Sequence, residues 1–207
     1  MKDKLGIGCI FLGVLLLCGS LSLYLHNKQE DRIAGQGVSE VLPQIVAQIP
    51  TEPDREALAE RLPPLEFRDP DSFEMTELTV DGYAYVGYLS ISALELNLPV
   101  MSTWDYARLR IAPCRYAGSV NSENLVLMAH NYDAHFGRIG DLKAGDSVTF
   151  TDMDGITTQY QVVSRDVLVP TAVEEITSGD FALTLFTCTY GGENRVAVYC
   201  NRQEADS

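Results

Sequence analysis

The residues whose chemistry stands out in this chain sit at the ends of apolar runs. Cys188 closes Thr184-Leu-Phe-Thr-Cys188, a run suited to a strand that would hold the thiol rigidly where it meets solvent. Arg195 follows seven residues later, across a turn containing Gly191-Gly192. If the flanking runs form a hairpin, Arg195 returns beside Cys188, because directly opposed strand residues lie ~5 Å apart. His130 closes another apolar run, Asn124-Leu-Val-Leu-Met-Ala-His130. Of three histidines, His26 abuts an apolar N-terminal segment, which leaves His130 and His135 as candidate bases. A thiolate is nucleophilic and a moderate leaving group, imidazole exchanges protons near neutrality, and guanidinium keeps its charge on a planar fork of donors. Together these types suit acyl transfer through sulfur. Singly, each has a plainer reading: a small buried cysteine, a structural histidine, a solvated or ion-paired arginine.

Strands must position these groups. From about Met75 the chain becomes rich in short aromatic and β-branched runs. Tyr83–Ile91 and Asn124–His130 read as strands. Ser147–Thr151 and Thr157–Val169 flank Asp154-Gly155, a strong hairpin signal. Phe181–Cys188 and Arg195–Cys200 form a second pair around Gly191-Gly192. Helical periodicity in this part is confined to short stretches near Thr103–Leu109 and Asp133–Ile139. Many short strands with turns between them predict a mostly β domain, a closed or nearly closed barrel with short helices.

The N-terminus reads differently. Leu5–Leu25 is 21 residues without a charge. As a helix rising ~1.5 Å per residue it would span ~31 Å, the thickness of a hydrocarbon core. Lys2 and Lys4 precede it, and Lys28 and Arg32 are diluted by Glu30 and Asp31, which orients the C-terminal side outward. The run is long for a signal peptide and no small-x-small cleavage site follows. The reading is a cytoplasmic N-terminus at 1–4, a single-pass anchor at 5–25, an acidic stalk at 26–75 and a folded domain at 76–207. Residues 29–77 carry 12 acids against four bases, a net of −8 out of −14 for the chain. That stretch reads as a solvated, self-repelling spacer without sustained periodicity, interrupted by a short helix over Thr51–Leu62. The acidity also argues against nucleic acid as a partner. Outside the apolar segment lie Cys114, Cys188 and Cys200, an odd number that leaves at least one unpaired within the chain. Spacing leaves a Cys114–Cys200 pair open.

These motifs resemble the sortase family of Gram-positive bacteria. Thr184-Leu-Phe-Thr-Cys188 matches the family's TLxTC motif, with its arginine on the following strand. Leu125-Val-Leu-Met-Ala-His130, continuing through Phe136-Gly137 to Asp141-Leu142, resembles the histidine segment. Lys143-Ala-Gly-Asp146 matches a further step, and Tyr85–Ile91 the opening strand. The likeness runs over residues 80–202 in the family's order. Position 129 is alanine where the family usually has glycine. His130-Asn131, Phe136-Gly137 and Thr187–Tyr190 look most like class B, but Arg165–Asp180 is short for the helix that class inserts. A C-terminal hydrophobic segment like that of many pilin-polymerising members is lacking, and Asp69-Pro70 with Phe73 only faintly resembles their lid.

The resemblance implies an eight-stranded sortase-type β-barrel. It implies a cysteine transpeptidase cleaving an LPxTG-like sorting signal through a thioester, with Cys188, His130 and Arg195 catalytic. By similarity Thr187 shapes the site, and Leu168 to Ile176 form one wall of the substrate groove, with Leu168, Val169, Pro170, Thr171 and Ala172 as its substrate-binding residues. Partners would be secreted proteins bearing the signal and an amine acceptor, either a peptidoglycan precursor or a pilin subunit. No cofactor and no metal are expected; Glu174 and Glu175 read as solvated, since calcium takes about six or more oxygens. The location implied is the cell membrane, with the catalytic domain outside. The competing reading is a non-catalytic extracellular barrel that binds, with Cys188 a core residue.

Overall fold

In the computed structural model, residues 2–51 and 75–203 are described. The first element is a single helix, α1 (Lys2–Val46). Among the described residues nine strands follow: β1 (Leu78–Val80), β2 (Tyr83–Ile91), β3 (Leu96–Met101), β4 (Cys114–Ala117), β5 (Leu125–Met128), β6 (Ser147–Asp152), β7 (Thr157–Leu168), β8 (Leu183–Cys188) and β9 (Arg195–Arg202). Among the described residues one further α-helix, α2 (Val173–Thr177), lies between β7 and β8. The sheet order is β1-β2-β3-β4-β5-β8-β9-β7-β6, and β6 pairs back onto β2. That last pairing closes β2 to β9 into an eight-stranded barrel, with β1 a short addition to its seam. Closure removes unpaired strand edges, and inward side chains alternate with outward ones. The interior is filled by apolar side chains such as Val86, Leu89, Leu98, Leu127, Phe150 and Leu185.

The strand readings hold with small changes of boundary. At the Asp154-Gly155 turn, the Asp152 carboxylate accepts the N–H groups of Asp154 and Ile156 at 3.0 and 2.8 Å, an Asx turn that fixes the β6–β7 register. Three strands had no reading in the sequence: β1, β3 and β4. β3 contains Pro99, which removes a ladder donor. It is tolerated because β3 meets its second neighbour only at Met101, opposite Cys114, so the proline faces a partner on one side alone. The stretches 103–109 and 133–139 hold no α-helix. Turns there lead into the 3₁₀ segments Arg108–Arg110 and Ile139–Asp141.

The largest difference concerns the proposed spacer. Instead of ending with the apolar run, α1 continues to Val46, and its last turns lie against the barrel with Ala34, Val38 and Ile45 buried. Ile45 joins a cluster with Tyr85, Met101 and Cys114, and Val38 joins the main core. The residues at 34, 38, 41, 42, 45 and 49 form a stripe at helical spacing. Gly35, Gly37 and Pro43 within it are poor helix formers and disguise it. The expected helix over Thr51–Leu62 and the Asp69-Pro70 segment lie outside the described residues. Cys114 and Cys200 are free and buried rather than paired.

Candidate active site

Three neighbouring strands bring the chemistry to one rim of the barrel. β5 and β8 run parallel, with Met128 opposite Phe186, so both end at the same level. The pairing continues one step, with Ala129 N–H donating to Phe186 O at 3.3 Å. The buried Thr187 hydroxyl donates to Ala129 O at 2.8 Å. That bond ties the residue before His130 to the residue before Cys188. β8 and β9 are antiparallel, and Cys188 lies directly opposite Arg195, as the two-glycine turn requires.

Burial sorts the cysteines. β8 is buried from Leu183 to Thr187, and Cys188 is the first partly exposed residue. Burial pushes the Cys114 and Cys200 thiols up to about 12, which keeps both protonated and unreactive. Of the barrel's cysteines, Cys188 is therefore the one placed to react.

The turn after Cys188 is a compact hydrogen-bonded unit. Thr189 N–H donates to Asn194 O at 3.0 Å, and Asn194 N–H donates to the Thr189 hydroxyl at 3.0 Å. Nη1 of Arg195 donates to Gly192 O at 3.2 Å and to Asn194 O at 3.1 Å. These bonds fix one edge of a guanidinium that has five N–H donors in all. The Asn131 side chain donates to Thr189 O at 3.4 Å, joining this turn to the loop after His130.

That loop is also wound tightly. Phe136 N–H donates to His130 O at 3.2 Å, and Gly137 N–H to Tyr132 O at 2.8 Å. A Cβ on Gly137 would stand 2.7 Å from Asn131 O, so only glycine lets the loop close. Burial lowers the pKa of His130, Arg110 lowers it further, and Glu30 acts in the opposite direction. His135 is fully buried beneath the same loop, and burial, with His130 nearby, lowers its pKa to about 4. The loop therefore places one imidazole at the rim and the other in the interior.

His130, Cys188 and Arg195 line one cavity of about 180 Å³. Thr187 and Pro170 line it as well. Leu168, Val169, Thr171 and Ala172 do not: Leu168 pairs with Arg195 and packs on a satellite core, Val169 and Thr171 are exposed, and Ala172 is buried at the N-terminal end of α2. Val173 and Ile176 of α2, the far part of the wall expected over Leu168–Ile176, line the cavity beside Pro170. Sequence reasoning missed the aromatic wall. Trp104 stacks on Tyr116 with centroids 5.5 Å apart, and Tyr116 meets Phe186 edge-on at 5.2 Å. Trp104 is the chain's single tryptophan, and its half-exposed place in a polar loop was the available signal. Among the described residues no group of three or more His, Cys, Asp or Glu could hold a metal ion. Glu174 and Glu175 are exposed on α2.

A family model described as the sortase domain matches residues 89–203. No curated protein sequence matches the chain. Sortase C1 of Streptococcus agalactiae superposes with a TM-score of 0.58 at 22% identity, covering 83% of this chain and 100% of that one. A sortase C of Streptococcus pneumoniae gives 0.54 at 20% identity, covering 81% and 96%. Sortase A of Corynebacterium diphtheriae gives 0.54 at 18%, covering 87% and 85%. At these identities the likeness to solved structures is one of fold.

Proposed function

This chain belongs to the sortase family of cysteine transpeptidases, and on that premise we propose that it cleaves an LPxTG-like sorting signal and passes the acyl part to an amine. The observation that carries the reading is the convergence of His130, Cys188 and Arg195 from three adjacent strand ends on one cavity. Cys188 Sγ attacks the carbonyl carbon between threonine and glycine. Arg195 donates hydrogen bonds to the substrate and to the oxygen on which charge develops. As the C–N bond breaks, His130 gives a proton to the departing amine, leaving a thioester on Cys188. An incoming amine then attacks that carbonyl and loses a proton to His130. The C–S bond breaks, and the thiolate and the protonated imidazole are restored. The aromatic wall around Trp104 and Tyr116 and the apolar face of α2 would bind the body of the signal.

α1 is long and apolar enough to cross a membrane. In this reading residues 5–25 anchor the chain in one pass with the barrel outside. The clients are secreted proteins carrying the signal, and the acceptor is a cell-wall precursor or a pilin lysine. The test is to incubate the full chain with an LPxTG-type peptide, with and without an amine, and to analyse it by mass spectrometry. Without amine, the threonine-ended fragment should remain on Cys188, and Cys188→Ala should form no adduct. An adduct on Cys114 or Cys200, or none in the native chain, overturns the reading.

A further inference from the structure

The loop that carries His130 is fastened from the membrane side. Two carboxylates on α1, one turn beyond the apolar run, reach across more than a hundred residues of sequence to hold it. Glu30 Oε2 accepts the Tyr132 hydroxyl at 3.0 Å, and Asp31 Oδ1 accepts the Ala134 N–H at 2.9 Å. The Tyr132 ring lies 4.9 Å from the His130 ring at an interplanar angle of 32°. Its ring centroid also lies 5.6 Å from that of the buried His135. Tyr132 therefore neighbours both imidazoles, and its hydroxyl is pinned by Glu30. The helix can come this near because Gly35 faces Ala134, and Ala34 and Val38 bury themselves on the domain below.

We propose that Glu30 and Asp31 are positioning residues for His130, acting through Tyr132 and the loop backbone, so that the stretch of α1 beyond the membrane is part of the working enzyme. The inference rests on the transpeptidase reading above. Glu30 has two separable effects. Its oxygen fixes the hydroxyl of Tyr132 and, through ring contact, the plane in which the imidazole can approach the leaving amine. Its charge favours the imidazolium, against burial and the Arg110 guanidinium, which both disfavour it. The other titratable or charged groups around His130 are Cys188 and Arg195 in the shared cavity, Tyr132, Asp133 and His135 within the loop, Tyr190 in the turn after Cys188, and Tyr24, Lys28 and Asp31 on α1, where His26 also lies 3.7 Å from the Glu30 carboxylate. A second cavity, of about 450 Å³, separates α1 from the loop and includes Glu30, Asp31, Tyr132 and His130 in its lining. Deleting a hydroxyl or a charge there leaves no sealed void.

The experiment uses the full chain in detergent micelles or nanodiscs, an LPxTG-type peptide and an amine. It records kcat, KM and their pH profiles beside the rate of Cys188 alkylation by iodoacetamide. Tyr132→Phe and Glu30→Ala should each lower kcat about 3- to 10-fold, since displacement of an acid–base group costs rate steeply. KM and alkylation should change by less than about twofold, because neither the groove nor the thiol is touched. Glu30→Gln keeps an acceptor for the tyrosine hydroxyl and removes the charge. It should restore most of kcat at its own optimum while moving the high-pH limb to lower pH, because the imidazolium is then held less well. Asp31→Asn, which retains an acceptor for Ala134, guards against a misfolded alanine variant and should be milder than Glu30→Ala. Native kcat and native pH limbs in all these variants, even with a lowered Tm, would overturn the proposal. A native chain that forms no thioester sinks the transpeptidase reading with it. A thioester-forming enzyme indifferent to Glu30 and Tyr132 sinks the positioning role alone.

Discussion

The two ends of α1 share one continuous backbone and face opposite surroundings. Around Phe11, Leu15 and Leu17 every large apolar side chain points into open space and touches nothing of the domain. From Glu30 onward a stripe of side chains turns inward, with Ile45 fully buried and Ala34 and Val38 nearly so. The first end is more hydrophobic, yet it contributes nothing to the barrel's core. The second is laced with acids and glycines, yet it completes one face of the domain. Apolar content reports which solvent a helix sits in, and the spacing of its apolar residues reports what it packs against.

Truncating side chains at the two ends should give the widest separation. Ile45→Ala deletes a fully buried side chain between Tyr85, Met101 and Cys114, a change that costs about 2–5 kcal/mol in well-packed cores. Leu15→Ala, at 68% exposure, should leave the domain's unfolding free energy unchanged. Urea unfolding in micelles, followed by near-UV signals from the barrel, checks both. Equal shifts for the two variants would mean that the helix beyond the membrane is the spacer its acidity suggests.

The difference from the expected spacer has a physical source. The strands were legible because the strand period of two and the Asp-Gly and Gly-Gly turns each point to one structure; Tyr83–Ile91 is a strand over the whole span expected. Arg195 falls across from Cys188 because antiparallel register follows from the length of the turn between them. His130 was legible as a strand end, but its closeness to Cys188 is not a local property. It comes from the parallel pairing of β5 with β8, across 58 residues between Ala129 and Thr187. The contacts of Glu30 and Asp31 are longer in range still, and nothing in the spacing of two adjacent acids signals a partner a hundred residues away. Along the wall expected over Leu168 to Ile176, the chain leaves β7 at Leu168, and Pro170, Val173 and Ile176 line the cavity.

The loop beneath the docked end gives a second, smaller contrast, read through pH. His135 is buried as a neutral ring, and its pKa is lowered to about 4 from an ordinary value of ~6.5. Between those values the unfolded chain binds the proton and the folded chain does not. Stability is therefore full above ~6.5 and falls as the pH drops toward 4, by an amount of order 3 kcal/mol at most. Asp31, on the docked end, works against this loss by favouring the charged ring. His135→Phe should flatten the stability curve between pH 6.5 and 4, whereas Asp31→Asn should steepen it. Comparing urea midpoints at pH 7 and pH 5 for the three proteins measures both slopes. A native curve no steeper than that of His135→Phe would mean that the histidine is not buried neutral.

The finest test compares one substitution at two glycines of the same helix. Gly19 has nothing within 4 Å of where a Cβ would stand, whereas at Gly35 it would lie 3.3 Å from the Ala134 Cβ. Alanine in a helix interior gains roughly 0.5–1 kcal/mol over glycine by restricting the unfolded chain. At Gly19 nothing opposes that gain, so Gly19→Ala should be neutral or slightly stabilising. At Gly35 the helix and the His130 loop must part by a few tenths of an ångström, which offsets the gain and loosens the carboxylate contacts beside it. Gly35→Ala should thus leave the unfolding free energy within about 0.5 kcal/mol of native while lowering kcat a little, by less than twofold. Enlarging the residue sharpens the contrast: Gly35→Leu should lower kcat several-fold and reduce stability, while Gly19→Leu should do neither. If Gly35→Leu turns over peptide at the native rate, α1 and the loop are not held together as the geometry implies, and the two ends of the helix are equivalent for catalysis.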